Sequence, residues 1–150
     1  MRHNRRWPSG PGNGRLEIGL LLDASTSWGR SIIAGVGDYS RQRGGWVLRI
    51  EQSRSAEPRH LPRGWQGDGV IARVTSTAQL ESLRGLGVPV VNVSAAIADG
   101  RVFPSVQTDS SKIAELAADH LRSRGLQHFG YLGLKRRWYS RARREQFREY

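Results

Sequence analysis

The chain has no cysteine among its 150 residues. This excludes a disulfide framework and any thiolate metal site. Histidine is sparse. His3, His60, His120 and His128 lack the close paired spacing of a zinc site, so neither a metal nor a cofactor is expected. No apolar run approaches the ~18 residues of a membrane span, and no membrane association is expected. Lysine is nearly missing: of 24 basic residues only Lys112 and Lys135 are lysine. Acids number only 13, which leaves a formal net charge of +11. Such an excess invites a nucleic-acid reading, but its distribution argues against one. Residues 1–15 carry four arginines and no acid, and residues 135–150 carry seven basic residues against two acids. The body, 16–134, is nearly neutral and has no basic stripe.

The start of the chain leads from Arg5-Arg6-Trp7-Pro8 into Ser9-Gly10-Pro11-Gly12-Asn13-Gly14. Residues 1–15 read as a flexible basic leader without the apolar core of a signal peptide, so a cytoplasmic location is expected. The triplet Asn92-Val93-Ser94 matches a glycosylation acceptor, which carries no weight without secretion.

What is present alternates between two periods. Leu16 to Asp23 is a short, nearly continuous apolar run, the signature of a strand buried on both faces. A helix is expected from about Ser27 to Gln42, with Ile32, Ile33, Val36 and Tyr39 on one face and Arg43-Gly44-Gly45 as its stop. Strands follow at Trp46–Glu51, Gly69–Ala72 and Val88–Val93, with Pro89 at the start of the last. Residues 52–66 form a polar stretch with room for a helical turn. A short helix spans Thr77–Leu83. Ser105–Thr108 and His128–Leu134 read as fifth and sixth strands. Between them a helix runs from Ser110 to Ser123, with Ile113, Leu116, Ala117, His120 and Leu121 as its inner stripe. A charged helix begins near Ser140 and is unfinished at Tyr150, so the chain reads as the front part of something longer. The alternation predicts an α/β fold: a parallel sheet with right-handed crossovers and helices on both faces.

In such sheets ligands bind beyond the carboxyl ends of the strands. The residues placed there are Asp23 to Trp28 with Arg30, then Arg73, Ser94, Thr108 and Asp109, and finally Arg137 to Arg141. Hydroxyls, a carboxylate and arginines supply directional hydrogen bonds, and Trp28 and Trp138 supply flat apolar faces. A polyol suits that combination, because its C–H faces stack on aromatic rings while its hydroxyls meet charged planar groups. Each residue also has a plainer reading. Trp28 can cover a sheet edge, Arg30 and Arg141 can be solvated, Ser94 can belong to a turn, and Asp109 can be a helix N-cap. No G-x-G-x-x-G, no P-loop and no G-x-S-x-G elbow is present, so no catalytic residue is assigned.

Two stretches resemble LacI-type regulators and sugar-binding proteins. Val106-Gln107-Thr108-Asp109 leads into a helix ending His120-Leu121, then Gly125 and His128–Gly133. Ser140-Arg141-Ala142-Arg143-Arg144-Glu145-Gln146-Phe147 resembles that superfamily's S-x-R-x-R-x-x-G-F helix start, with Gln146 in place of the glycine. Ile18–Asp23, Trp28-Gly29-Arg30, Ile33–Tyr39, Trp65–Ala72 and Val88–Ser94 are similar to the opening of XylR-type regulators. These are xylose-responsive AraC-family transcription regulators with a LacI-like sensor first and a helix-turn-helix domain last. The resemblance covers residues 16–150. It implies the first lobe of a periplasmic-binding-protein-like type I fold, with a second lobe and the DNA-binding domain outside this chain. The fifteen residues before Leu16 are too few for a helix-turn-helix, which fits a sensor-first order.

The resemblance further implies that the lobe binds xylose or a similar sugar, acts on DNA through the absent domain and forms a homodimer. Arg141 takes the position of the main hydroxyl clamp. Trp28 would stack on the ring, Arg30 and Ser94 would add hydrogen bonds, and Asp109 is a further contact. A transport sugar-binding protein, an α/β sugar-phosphate enzyme and a direct nucleic-acid binder are the alternatives.

Overall fold

The computed structural model describes residues 15–50, 61, 64–94, 96–97, 102–135 and 137–150. The leader up to Gly14 and most of the polar stretch 52–66 lie outside the described residues, as does the side chain of Trp138. The elements in chain order are β1 (Glu17–Leu21), α1 (Ser27–Arg43), β2 (Val47–Ile50), β3 (Gly69–Ala72), α2 (Thr77–Arg84), β4 (Val90–Asn92), α3 (Ser110–Ser123) and α4 (Trp138–Glu149). The four strands form one sheet in the order β2-β1-β3-β4. All three pairings are parallel, with Leu20 opposite Ile50 on one side and Ile71 on the other.

Burial on both faces explains the unbroken apolar run. Side chains alternate across a strand. Ile18, Leu20 and Leu22 therefore enter one core with Val93, beside Ile32, Ile33 and Val36 of α1. Leu21 enters the other with Val70, Ala72, Val90 and the α2 residues Leu80 and Leu83. So α1 covers one face of the sheet and α2 the opposite face, as the alternation predicts. Leu20 and Leu22 are fully buried.

Polar groups fix the helix ends. Thr26 caps α1, its Oγ1 accepting from Gly29 N at 3.0 Å. Ser76 caps α2 in the same way, accepting from Gln79 N at 3.2 Å. At the far end of α1, buried Ser40 accepts from Trp46 N at 2.6 Å and so ties the helix to the approach of β2.

Three expectations are corrected. The fifth strand is a single bridge, Asn92 with Ser105. Asn92 N donates to Pro104 O at 2.9 Å and Val106 N to Asn92 O at 3.0 Å, after which the chain turns toward α3. The sixth strand, 128–134, is not a strand. A strand needs an edge to pair with, and one bridge beyond β4 offers none. The segment is held through Ser140 instead: Leu134 N donates to Ser140 Oγ at 2.9 Å, and the Tyr131 hydroxyl donates to Ser140 O at 2.8 Å. Leu132 is accordingly fully exposed. The third correction concerns α3. Its buried residues are Ala114 and Ala118, whereas Ile113 and Leu116 of the expected stripe are exposed. The neighbour of α3 is α4, and small residues four apart let a second helix approach closely. Phe129 and Phe147 meet edge to face at 5.9 Å between centroids. Gln146, which departs from the superfamily glycine, accepts from Ser111 Oγ at 2.9 Å and joins the two helices.

Candidate functional site

A groove of about 850 Å³ runs over the sheet face beside α1, from Tyr39 and Trp46 to the C-terminal ends of β3 and β4, within the ~300–1,000 Å³ usual for small-ligand sites. Its floor is apolar, from Ile71, Val91 and Val93, and one wall is α1. The polar groups are Thr26, Arg73, Ser94, Gln107, Thr108 and Arg143, with Trp28 and Tyr139 as flat faces. The Arg73 guanidinium lies 5.8 Å from the Trp28 ring centroid, and Arg143 lies 5.5 Å from Tyr139. Both are cation–π distances. Two charged planes are thus paired with two aromatic rings around one opening.

The loop after β1 is held by its own side chains. Asp23 Oδ1 accepts from Ser25 N at 3.1 Å and from Ser25 Oγ at 2.6 Å. Arg30 folds back over the loop, donating from Nη1 to Ser25 O at 2.8 Å and Ala24 O at 3.1 Å. Arg30 therefore lines neither concavity and acts on the loop that presents Trp28. The end of β4 is built around Asn92, whose Oδ1 accepts from Ser94 N at 2.9 Å and Val74 N at 3.2 Å. Ser94 is buried. Its Oγ accepts from Ala96 N at 3.0 Å and its carbonyl from Gln107 Nε2 at 3.2 Å, which leaves the hydroxyl hydrogen to donate.

Of the five expected contacts, Trp28 and Ser94 come together in the groove. Arg141 lines a neighbouring concavity of about 460 Å³ at the head of α4, which meets the groove at Leu134 and Arg137. Asp109 caps α3, its Oδ1 accepting from Lys112 N at 3.0 Å. Lys112 in turn donates to Glu115 Oε1 at 2.6 Å, and that hydrogen bond holds its pKa above the usual lysine value. The cap leads to a prediction. Asp109→Ala should lower stability by about 1 kcal/mol in a urea unfolding curve, and Asp109→Ser should restore most of it.

Sequence reasoning missed Asn92, Gln107 and Arg143. Asn92 was read as a strand residue and as part of a glycosylation triplet, yet it is 5% exposed, so the folded chain cannot take a glycan there. Arg143 stood in a run of arginines, and its position reads as solvated until α4 is placed. Its Nη2 donates to Thr108 Oγ1 at 3.3 Å, and its Nε is buried with no partner among the described residues. Among those residues no group of three or more His, Cys, Asp or Glu could hold a metal ion, and no helix is long and apolar enough to cross a membrane.

The profile of the XylR N-terminal domain matches residues 17–111. The chain belongs to that family. It is 31% identical over 124 residues to the xylose operon regulatory protein of Escherichia coli (strain K12), covering 80% of this chain and 31% of the relative. The protein of the same name from Haemophilus influenzae is 26% identical over 140 residues, covering 89% of this chain and 36% of the relative. The chain thus spans about a third of the length of these curated relatives. A solved structure of a xylose-binding transcription activator, XylR, superposes with a TM-score of 0.69 at 28% identity, over 90% of this chain and 35% of that one. The XylR family membership and this likeness identify the fold as periplasmic-binding-protein-like and the chain as similar to part of a sugar-responsive regulator.

Proposed function

We propose that residues 16–150 form the first lobe of a sugar-sensing domain in a transcription regulator, with xylose or a related pentose as ligand. A second lobe and a helix-turn-helix domain would belong to the intact protein and lie outside these residues. The observation that carries the reading is the groove in which Trp28, Arg73, Ser94 and Arg143 converge beyond the ends of parallel strands. A pentose ring would lie against Trp28, with its hydroxyls meeting the Arg73 and Arg143 guanidiniums and the Ser94 hydroxyl. Arg141 would reach the ligand from the adjoining concavity, while Arg30 would hold the loop. A ligand changes the lobe arrangement only through its unequal affinity for the open and closed states, so the sugar would act by bridging the lobes. The lobe itself does no chemistry in this reading. It works in the cytoplasm as a homodimer, and DNA is met through the other domain. The relatives it matches are xylose operon regulators and a xylose-binding transcription activator, which favours this over a transport protein of the same fold.

Calorimetric titration of D-xylose into the intact protein tests it. Saturable binding is expected, with Trp28→Ala weakening it by about thirtyfold, the loss typical of a central aromatic anchor. Arg141→Ala should abolish measurable binding. Absence of pentose binding by folded protein, or unchanged affinity in both variants, would end the proposal.

A further inference from the structure

The concavity at the head of α4 has a character of its own. It is lined by Lys135, Arg137, Arg141 and Arg144, together with the chain at 131–134 and Ser140. Four cations thus face one hollow of about 460 Å³ with no acid among the lining residues. None of the four forms an ion pair among the described residues, where the salt bridges are Arg41–Asp38, Arg49–Glu17, Arg84–Glu81 and Lys112–Glu115. Arg137, Arg141 and Arg144 are spaced four and three apart, which puts them on one stripe of the helix.

This arrangement is unfavourable as it stands. Like charges on one stripe repel. The first turn of α4 contains no acid, and its cap position is Arg137, which makes no side-chain cap bond. Cations at a helix N-terminus oppose the helix dipole. A bound anion would reverse all three effects at once. An arginine fork matches the oxygens of a phosphoryl group in bidentate geometry, and lysine adds a point charge. A neutral pentose would leave these costs in place.

We infer that this concavity binds a phosphate dianion. The site rests on α4 and its neighbours and does not depend on the groove holding a sugar. Because the two hollows share Leu134 and Arg137, the dianion has two sources: free phosphate, or the phosphoryl group of a sugar phosphate whose ring lies in the groove.

The test is calorimetry on the intact protein in a phosphate-free, low-salt buffer, with inorganic phosphate, ribose and ribose 5-phosphate titrated separately. Inorganic phosphate should bind saturably. Lys135→Gln with Arg144→Gln, both exposed positions outside the proposed sugar contacts, should weaken it about a hundredfold, one decade for each charged hydrogen bond removed. Arg122→Gln with Arg124→Gln, which removes the same charge from the C-terminal end of α3 and its cap, should change nothing. The single variant Arg144→Glu serves if the double variant loses its circular-dichroism signature. Ribose 5-phosphate binding tighter than both ribose and phosphate identifies a sugar phosphate, and affinity equal to that of phosphate identifies the free ion. Either result supports the site. The inference is overturned if folded protein shows no saturable phosphate binding, or if the α3 control weakens it equally. It is also overturned if the cations serve only duplex DNA, seen as steeply salt-dependent binding without any phosphate affinity. Xylose affinity that survives the double variant leaves the sugar reading standing whatever the phosphate result.

Discussion

Asn92→Ala should lower the unfolding free energy by about 2–6 kcal/mol, because it orphans two backbone N–H groups at about 1–3 kcal/mol each when buried and unpaired. The two are Val74 N and Ser94 N, both bound to Asn92 Oδ1 in buried surroundings. They lie just past the ends of β3 and β4, where the ladder no longer supplies partners and water is shut out. The substitution should therefore loosen the strand ends locally as well as weaken the whole. Asn92→Leu, which has as many side-chain heavy atoms and leaves no cavity but lacks the acceptor, should not rescue stability. The measurement is the urea midpoint together with amide exchange at Val74 and Ser94. Sugar affinity should fall with it, since Ser94 and Gln107 take their positions from this hub. A loss below about 0.5 kcal/mol, the level of an ordinary surface change, would mean that water replaces the amide oxygen.

Gly29→Ala is expected to destabilise by about 1–3 kcal/mol or more, the usual cost of forcing atoms into a packed site. A Cβ on Gly29 would stand 2.0 Å from the Asp23 carbonyl oxygen and 3.0 Å from Thr26 Oγ1. The obstruction is backbone, so the turn from β1 into α1 must open. The sign makes the prediction sharp. Glycine to alanine inside a helix normally gains up to about 1 kcal/mol, and at Gly35, where no atom lies within 4 Å of the added Cβ, that gain should appear. The same helix should thus give opposite signs at Gly29 and Gly35 in thermal melts. Trp28 and Arg30 flank Gly29, so the destabilised loop should also bind sugar less well.

The first half of the fold was legible because local pattern and global burial agree there. Leu16 to Asp23 is apolar on both sides of the strand, and the sheet does cover both sides. Farther along, element positions were legible and their partners were not: α3 has its expected bounds, Ser110–Ser123, but not its expected buried face. Periodicity marks Ile113 and Leu116 as an apolar stripe, but it cannot say which neighbour a helix meets. Here α4 packs on α3, whose buried residues are Ala114 and Ala118. The segment 128–134 has a strand's composition and no strand's partner, and partners are a property of the sheet edge. For the site, position after a strand was enough to find Trp28, Arg73, Ser94 and Thr108. Asn92 and Arg143 were hidden because their roles depend on what surrounds them. A buried asparagine and a glycosylated one look alike in sequence, and so do a stacked arginine and a solvated one.

The strand order has a consequence for how the chain reaches this state. In the sheet, β1 sits between β2 and β3, and its pairing with β3 joins Ile18 to Gly69. That contact closes a long loop, whose entropy must be spent before the burial of Leu20 against Ile71 repays it. The unit of β1, α1 and β2 can assemble from nearer neighbours, but it leaves one edge of β1 bare until Ala72 has been synthesised. On the ribosome, the strand that leads into the loop before Trp28 therefore waits with Leu21 uncovered, and the groove acquires its floor only when β3 and β4 arrive.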